Sequence, residues 1–172
     1  MPPDEVVPEW LTTAGRTRLL RFAYLLTGDR ALAEDVVQSV LVRLLDRSGG
    51  DAVRHPAAYA RRCISNEITS VHRSRARQRE VITRLPAPGT TPLIPVDAAV
   101  DRLVIVDALD VLSERERVAV VLRYYEDLDD ADTARVIGCT RGTVRTLIHR
   151  ALPKLREALG EADTDAQEGS RP

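Results

Sequence analysis

Residues 140–150, TRGTVRTLIHR, hold Arg141, Arg145, His149 and Arg150 and no acid, in a chain whose formal net charge is −1. Cations gathered at helical spacing suit contact with an anionic polymer. If Val144 and Ile148 form the buried stripe of a helix, then Arg145, Thr146, His149 and Arg150 share its exposed face. The DNA major groove admits such a helix. There an arginine can meet guanine through two parallel hydrogen bonds, worth about 1–3 kcal/mol of discrimination. Thr140, Gly142 and Thr143 stand where the first amides of that helix are expected to be free for a phosphate, with Arg141 beside them.

A reading helix must be held by a partner. Ala134 is small enough for two helices to approach closely, and Gly138, four residues on, supplies a turn where a positive φ would cost most residues energy. The small–Gly–aliphatic spacing over 129–150 is that of a helix-turn-helix, although two packed helices with a glycine turn also occur as plain structure. Asp129 or Asp130 is expected to cap the first helix and Thr140 the second. Pro153 is expected to end or kink the second near Leu152, because a helix-interior proline costs about 3 kcal/mol relative to alanine.

Upstream, Ser113 and Glu116 form the S-x-x-E of a capping box, opening a helix predicted to bury Val118, Val121, Leu122 and Tyr125. An apolar helix over about 98–112 precedes it. Residues 85–97, LPAPGTTPLIPVD, hold four prolines and no helical period, and read as a solvated linker. Before the linker, helices are predicted over 16–27 (Leu19, Leu20, Ala23 and Leu26 inward) and, capped by Asp29, over 30–47 (Val37, Val40, Leu41, Leu44 and Leu45 inward). A third should run from Pro56 to about 78, burying Ala60, Ile64, Ile68 and Val71. No strand pattern or internal repeat is found. The expected fold is all-α: two small helical domains joined by a proline-rich linker, the second containing the helix-turn-helix.

Charge sharpens the division. Residues 54–84 carry eight Arg against Glu67 and Glu80, a net of +6; residues 140–156 carry +5; residues 97–132 hold eleven acids against four Arg, a net of −7. Two basic stretches around an acidic one suggest two nucleic-acid contacts, with the acid limiting non-specific binding. Cys63 and Cys139 lack metal-site spacing and are expected to be reduced and structural; His55, His72 and His149 are scattered, so no metal or cofactor is expected. No apolar run approaches the ~18 residues of a membrane span, and the expected location is the cytoplasm, with no membrane insertion.

Three segments carry a resemblance: RFAYLLTGDRALAEDVVQSVLVRL (21–44), AAYARRCISNEI (57–68) and LSERERVAVVLRYYEDLDDADTARVIGCTRGTVRTLIHRALPKL (112–155). In this order around a proline-rich linker, the chain resembles the small alternative sigma factors of bacterial RNA polymerase, the extracytoplasmic-function (ECF) group of the sigma-70 family, most closely the compact actinobacterial type. The likeness covers about residues 14–158. It implies an N-terminal extension (1–13), region 2 (14–84, binding core polymerase and the −10 element), a linker (85–97), region 4 (98–159, binding the −35 element) and an acidic disordered tail (160–172).

The resemblance also implies roles. Asp35, Gln38 and Ser39 would dock on the coiled coil of the polymerase's largest subunit, Ser39 standing where most members carry Glu. Arg62 and Asn66 would face the melted −10 strand, with Arg73, Arg75, Arg77 and Arg79 along its phosphates. Thr140, Arg141, Thr143, Arg145, Thr146, His149 and Arg150 would meet the −35 duplex, and YYEDLDD (124–130) would lie near the surface facing the polymerase flap. The implied partners are core RNA polymerase, promoter DNA and, where the cell makes one, an anti-sigma factor gripping both lobes. The implied function is promoter-specific initiation with no catalytic step. A stand-alone helix-turn-helix regulator and a mimic that sequesters a partner are the alternatives, and the arginine-rich third helix argues against the former.

Overall fold

The computed structural model describes residues 12–48, 56–79 and 97–168. Every regular element among them is helical: α1 (Thr13–Thr27), α2 (Arg30–Ser48), α3 (Pro56–Arg79), α4 (Asp97–Asp110), α5 (Glu114–Val120), a π turn (Val121–Tyr125), α6 (Asp130–Ile137) and α7 (Arg141–Glu168). They belong to two compact units, Met1–Ser74 and Arg75–Pro172. Most of the expected linker lies outside the described residues; its last residue, Asp97, opens α4.

In the first unit, Thr12 caps α1 by accepting the Gly15 amide at 3.1 Å, earlier than the predicted start at 16. Gly28 ends α1 in the left-handed region at φ 64°, and Asp29 Oδ1 accepts the Leu32 amide at 3.1 Å to start α2 as expected. Phe22 is fully buried with Ala23 and Leu26, while Leu20, expected inward, is half-buried. From α2, Val36, Val37, Val40, Leu41 and Leu44 are buried. Leu45 is not: it is 50% exposed, because the stripe that buries Val37, Leu41 and Leu44 carries position 45 to the helix flank. Ala60, Ile64 and Ile68 bury the inner face of α3, Val71 being half-buried, and Arg43 Nη1 lies 3.0 Å from Glu67 Oε2, tying α2 to α3.

In the second unit, Ser113 and Glu116 form the full capping box of α5. The helix then widens. Glu126 donates its amide to Val121 O at 3.1 Å, five residues back, and the extra residue in this turn shifts the side chains after it. Leu122 stays fully buried, but Tyr125, predicted inward, is 39% exposed. Asp127 follows with φ 53°, a left-handed conformation that aspartate tolerates better than most non-glycine residues. α7 also departs from expectation. Its helix continues through Pro153 to Glu168, so it does not end at Leu152. Proline removes the amide that would reach the His149 carbonyl and its ring crowds that carbonyl, but its φ suits a helix, and Ala151 is fully buried just before it, where packing favours continuation of the helix.

Candidate nucleic-acid interface

The helix-turn-helix is built from α6 and α7. Asp129 caps α6, its Oδ1 accepting the Ala131 amide at 2.8 Å and the Asp132 amide at 2.7 Å. These bonds, the Asp132 amide foremost, hold its carboxyl below the usual aspartate value. α6 ends at Gly138 in the left-handed region, φ 74° and ψ 47°, whose amide and that of Cys139 both reach Ala134 O, at 2.9 and 3.0 Å. Val144, fully buried, pins α7 with Thr133, Ala134 and Val136 of α6 also buried; Ile148 is half-buried.

The α7 N-terminus is capped from within. Thr140 Oγ1 accepts the Thr143 amide at 3.2 Å and lies 2.9 Å from Thr143 Oγ1. The expectation that Thr143 offers a free amide to phosphate is therefore corrected. The amides of Thr140, Arg141 and Gly142, at the cap and in the first turn, have no partner within the helix by geometry. Thr146 is also engaged, its hydroxyl donating to Gly142 O at 3.0 Å and so presenting acceptor lone pairs and a methyl outward. Arg141, Arg145, Thr146, His149 and Arg150 are all exposed, as the sequence spacing predicts.

Two of the cations in 140–156 are committed inside the unit. Arg145 Nε donates to Asp130 Oδ2 at 2.8 Å. Lys154 Nζ donates to Glu116 Oε2 at 2.8 Å and Oε1 at 3.1 Å, crossing from α7 to α5. Glu116 is buried, and the Lys154 hydrogen bond, with those from Ser113, holds its carboxyl below the ordinary 4.5 against the opposing effect of burial. Sequence spacing missed both pairs, because each joins residues 15 or more apart.

In the first unit, Arg62 and Asn66 are exposed at i, i+4 on α3, opposite Ala60, Ile64 and Ile68. Arg73, Arg75, Arg77 and Arg79 lie in the helical backbone of α3, but their side chains are outside the described residues. On α2, Asp35 and Gln38 are exposed and Ser39 half-buried. Gln38 also borders a groove between α1 and α2 lined by Arg16, Leu20 and Glu34. Val42, 56% exposed, and Leu45 extend the face begun by Asp35 and Gln38 at i, i+3, i+7 and i+10. The predicted polar patch thus continues as a part-apolar stripe. Cys63 and Cys139 are free thiols. Among the described residues no three His, Cys, Asp or Glu side chains converge on a metal-sized site, and no helix is long and apolar enough to cross a membrane.

Residues 11–78 match the family described as Sigma-70 region 2, and residues 102–155 the family described as Sigma-70, region 4. The RNA polymerase sigma-E factor of Streptomyces avermitilis is 38% identical over 156 residues, spanning 88% of this chain and 86% of that protein. The chain belongs to the sigma-70 family, in its ECF group. The ECF RNA polymerase sigma factor SigL of Mycobacterium tuberculosis is 40% identical over 83% of both chains. A solved structure of the sigma factor RpoE in complex with the anti-sigma factor NepR from Bartonella quintana superposes with a TM-score of 0.67 at 25% identity. It covers 84% of this chain and 91% of that one. The region 2 match covers α1 and α2 and nearly all of α3, and the region 4 match runs from α4 into α7.

Proposed function

We infer that this chain is a dissociable promoter-specificity subunit: an alternative sigma factor that binds core RNA polymerase and directs initiation through −10 and −35 elements in the cytoplasm. The carrying observation is the exposed α7 face of Arg141, Arg145, Thr146, His149 and Arg150 on a capped helix-turn-helix, in a chain matching both sigma regions. Residues 14–84 act as region 2 and 98–159 as region 4. The α2 face of Asp35, Gln38 and Ser39 docks on the coiled coil of the largest polymerase subunit. A helix-to-helix contact needs such side chains on one face, and Val42 and Leu45 give it apolar area to bury.

On α3, Arg62 and Asn66 capture the melted −10 strand. Asn offers both a donor and an acceptor to the Watson–Crick edge of an unstacked base, and the following arginines meet phosphates. On α7, Arg141 and Arg150 meet phosphates while Arg145, Thr146 and His149 face base edges. Positioning and strand capture are the whole of the mechanism, and the chain performs no catalytic step. An anti-sigma factor, as bound by the Bartonella relative, would act by covering these polymerase-facing surfaces.

Run-off transcription with core polymerase of a related bacterium on pooled genomic fragments tests the reading. New start sites preceded by two shared, spaced motifs are expected. Absence of such sites with folded protein and active core would instead fit a stand-alone helix-turn-helix regulator.

A further inference from the structure

The recognition helix does not present Arg145 as a free cation. Its side chain is 74% exposed, yet its Nε is held by Asp130 Oδ2 at 2.8 Å. Asp130 is itself fixed. It is the first residue of α6, directly after the Asp129 cap, where a carboxylate also suits the helix dipole. Its other oxygen, Oδ1, faces Arg123 Nε at 3.8 Å, and Arg123 is anchored by its Nη1 bond to Leu128 O at 3.2 Å. The π turn that carries Arg123, the start of α6 and the outer face of α7 are thus joined through one carboxylate.

Guanidinium geometry gives this arrangement a consequence. Arg has five N–H donors in a planar fork. A carboxylate on Nε leaves the Nη1–Nη2 edge open, and that edge is the one that matches guanine O6 and N7 side by side. An unbraced arginine on the same helix is also drawn to the nearest phosphate, a contact that carries no sequence information. Asp130 acts against that choice in two ways: it restricts the side chain, and its negative charge repels phosphate.

We propose that Asp130 is a specificity-determining positioning residue, bracing Arg145 to read one guanine in the −35 duplex rather than the backbone. The proposal rests on the sigma reading above.

The test uses the full chain assembled with core polymerase. On a promoter found by run-off transcription, each −35 base pair is changed in turn. Initiation is then compared for the wild type, Arg145→Ala, Asp130→Asn, Asp130→Ala and the Arg145→Ala/Asp130→Ala pair. Asparagine keeps the shape of the aspartate, and thermal melts report folding of every variant. Arg145→Ala should flatten the preference at one G·C pair. Asp130→Asn should lower discrimination at that same pair by about 10-fold and leave the other positions as they were. The double variant should be no less selective there than Arg145→Ala alone, and both Asp130 variants should bind non-specific duplex more tightly at low salt.

An unchanged base profile in the Asp130 variants, or an equal loss at every position, would overturn the proposal; so would an Arg145→Ala profile with no single position affected. Failure to obtain any polymerase-dependent start site would instead bring down the sigma reading, and the inference with it.

Discussion

Lys154 is the sole lysine of the chain, and its ammonium is committed to Glu116. The pair joins the capping box of α5 to the middle of α7, so it supports the recognition helix from behind. Lys154→Ala should destabilise the chain by about 1–2 kcal/mol in urea unfolding. That is less than the 3–5 of a fully buried pair, because the Lys154 side chain is 45% exposed. The same pair predicts a pH dependence. Glu116 is held below its ordinary 4.5, so its stabilisation is fully present above that value and is lost as pH falls through the lowered folded value. Melting temperatures of wild type and Glu116→Gln should therefore converge on acidification; a constant gap would contradict the assignment. Thr133 gives an opposite case. It is fully buried and its Oγ1 has no hydrogen-bond partner among the described residues, so Thr133→Val should raise stability by about 1 kcal/mol, read from the same unfolding curves. At Gly138 a Cβ would meet nothing within 4 Å, so Gly138→Ala should cost only the left-handed backbone penalty, about 1–2 kcal/mol.

At the scale of elements, the positions legible in sequence are those fixed by local chemistry. The Ser113–Glu116 box, the Thr140 cap and the Gly138 turn each depend on residues at most four apart, and each is present. Periodicity likewise finds the buried faces of α1, α2 and α3. What it misses has a common cause: a long-range term overrides a local rule. Helix α7 passes Pro153 because packing outweighs one absent hydrogen bond, and the π turn rotates Tyr125 outward although the α-helical period places it inward. The committed Arg145 is invisible to spacing altogether, since its partner lies on another helix. Leu45 shows the functional side of such a miss. Period alone cannot separate a marginal core position from an apolar residue on an adjoining docking face. Val42→Asp with Leu45→Asp should leave the melting temperature nearly unchanged, as exposed substitutions usually stay within about 0.5 kcal/mol. The same change should weaken binding to core polymerase by about 10-fold or more in a titration. A collapse of the fold would return Leu45 to the core and remove it from the interface.

Over the whole molecule, the charge pattern is partly resolved by the ion pairs. Two cations of the basic 140–156 stretch are matched by Asp130 and Glu116 from the acidic 97–132 stretch, so the net of +5 overstates what α7 offers to DNA. Arg141 and Arg150 remain exposed on it. A chain of net charge −1 whose α7 offers so few uncommitted cations should bind the −35 duplex weakly alone and depend on polymerase for occupancy. Salt then separates the roles of the cations. Each phosphate contact contributes about 0.9 to the slope of log affinity against log salt for duplex DNA, because each releases condensed counterions. Arg150→Gln should therefore lower that slope by about 0.9 and weaken binding alike on every −35 sequence. Arg145→Gln should change the slope far less, because a guanine contact releases few counterions, and should instead erase one sequence preference. Asp35→Ala with Gln38→Ala should alter neither DNA property and should lower affinity for core polymerase. Holoenzyme binding to duplex at several potassium chloride concentrations, together with core titrations, reads all three. Equal slope changes for Arg145 and Arg150 would place both on phosphates and leave base reading to Thr146 and His149.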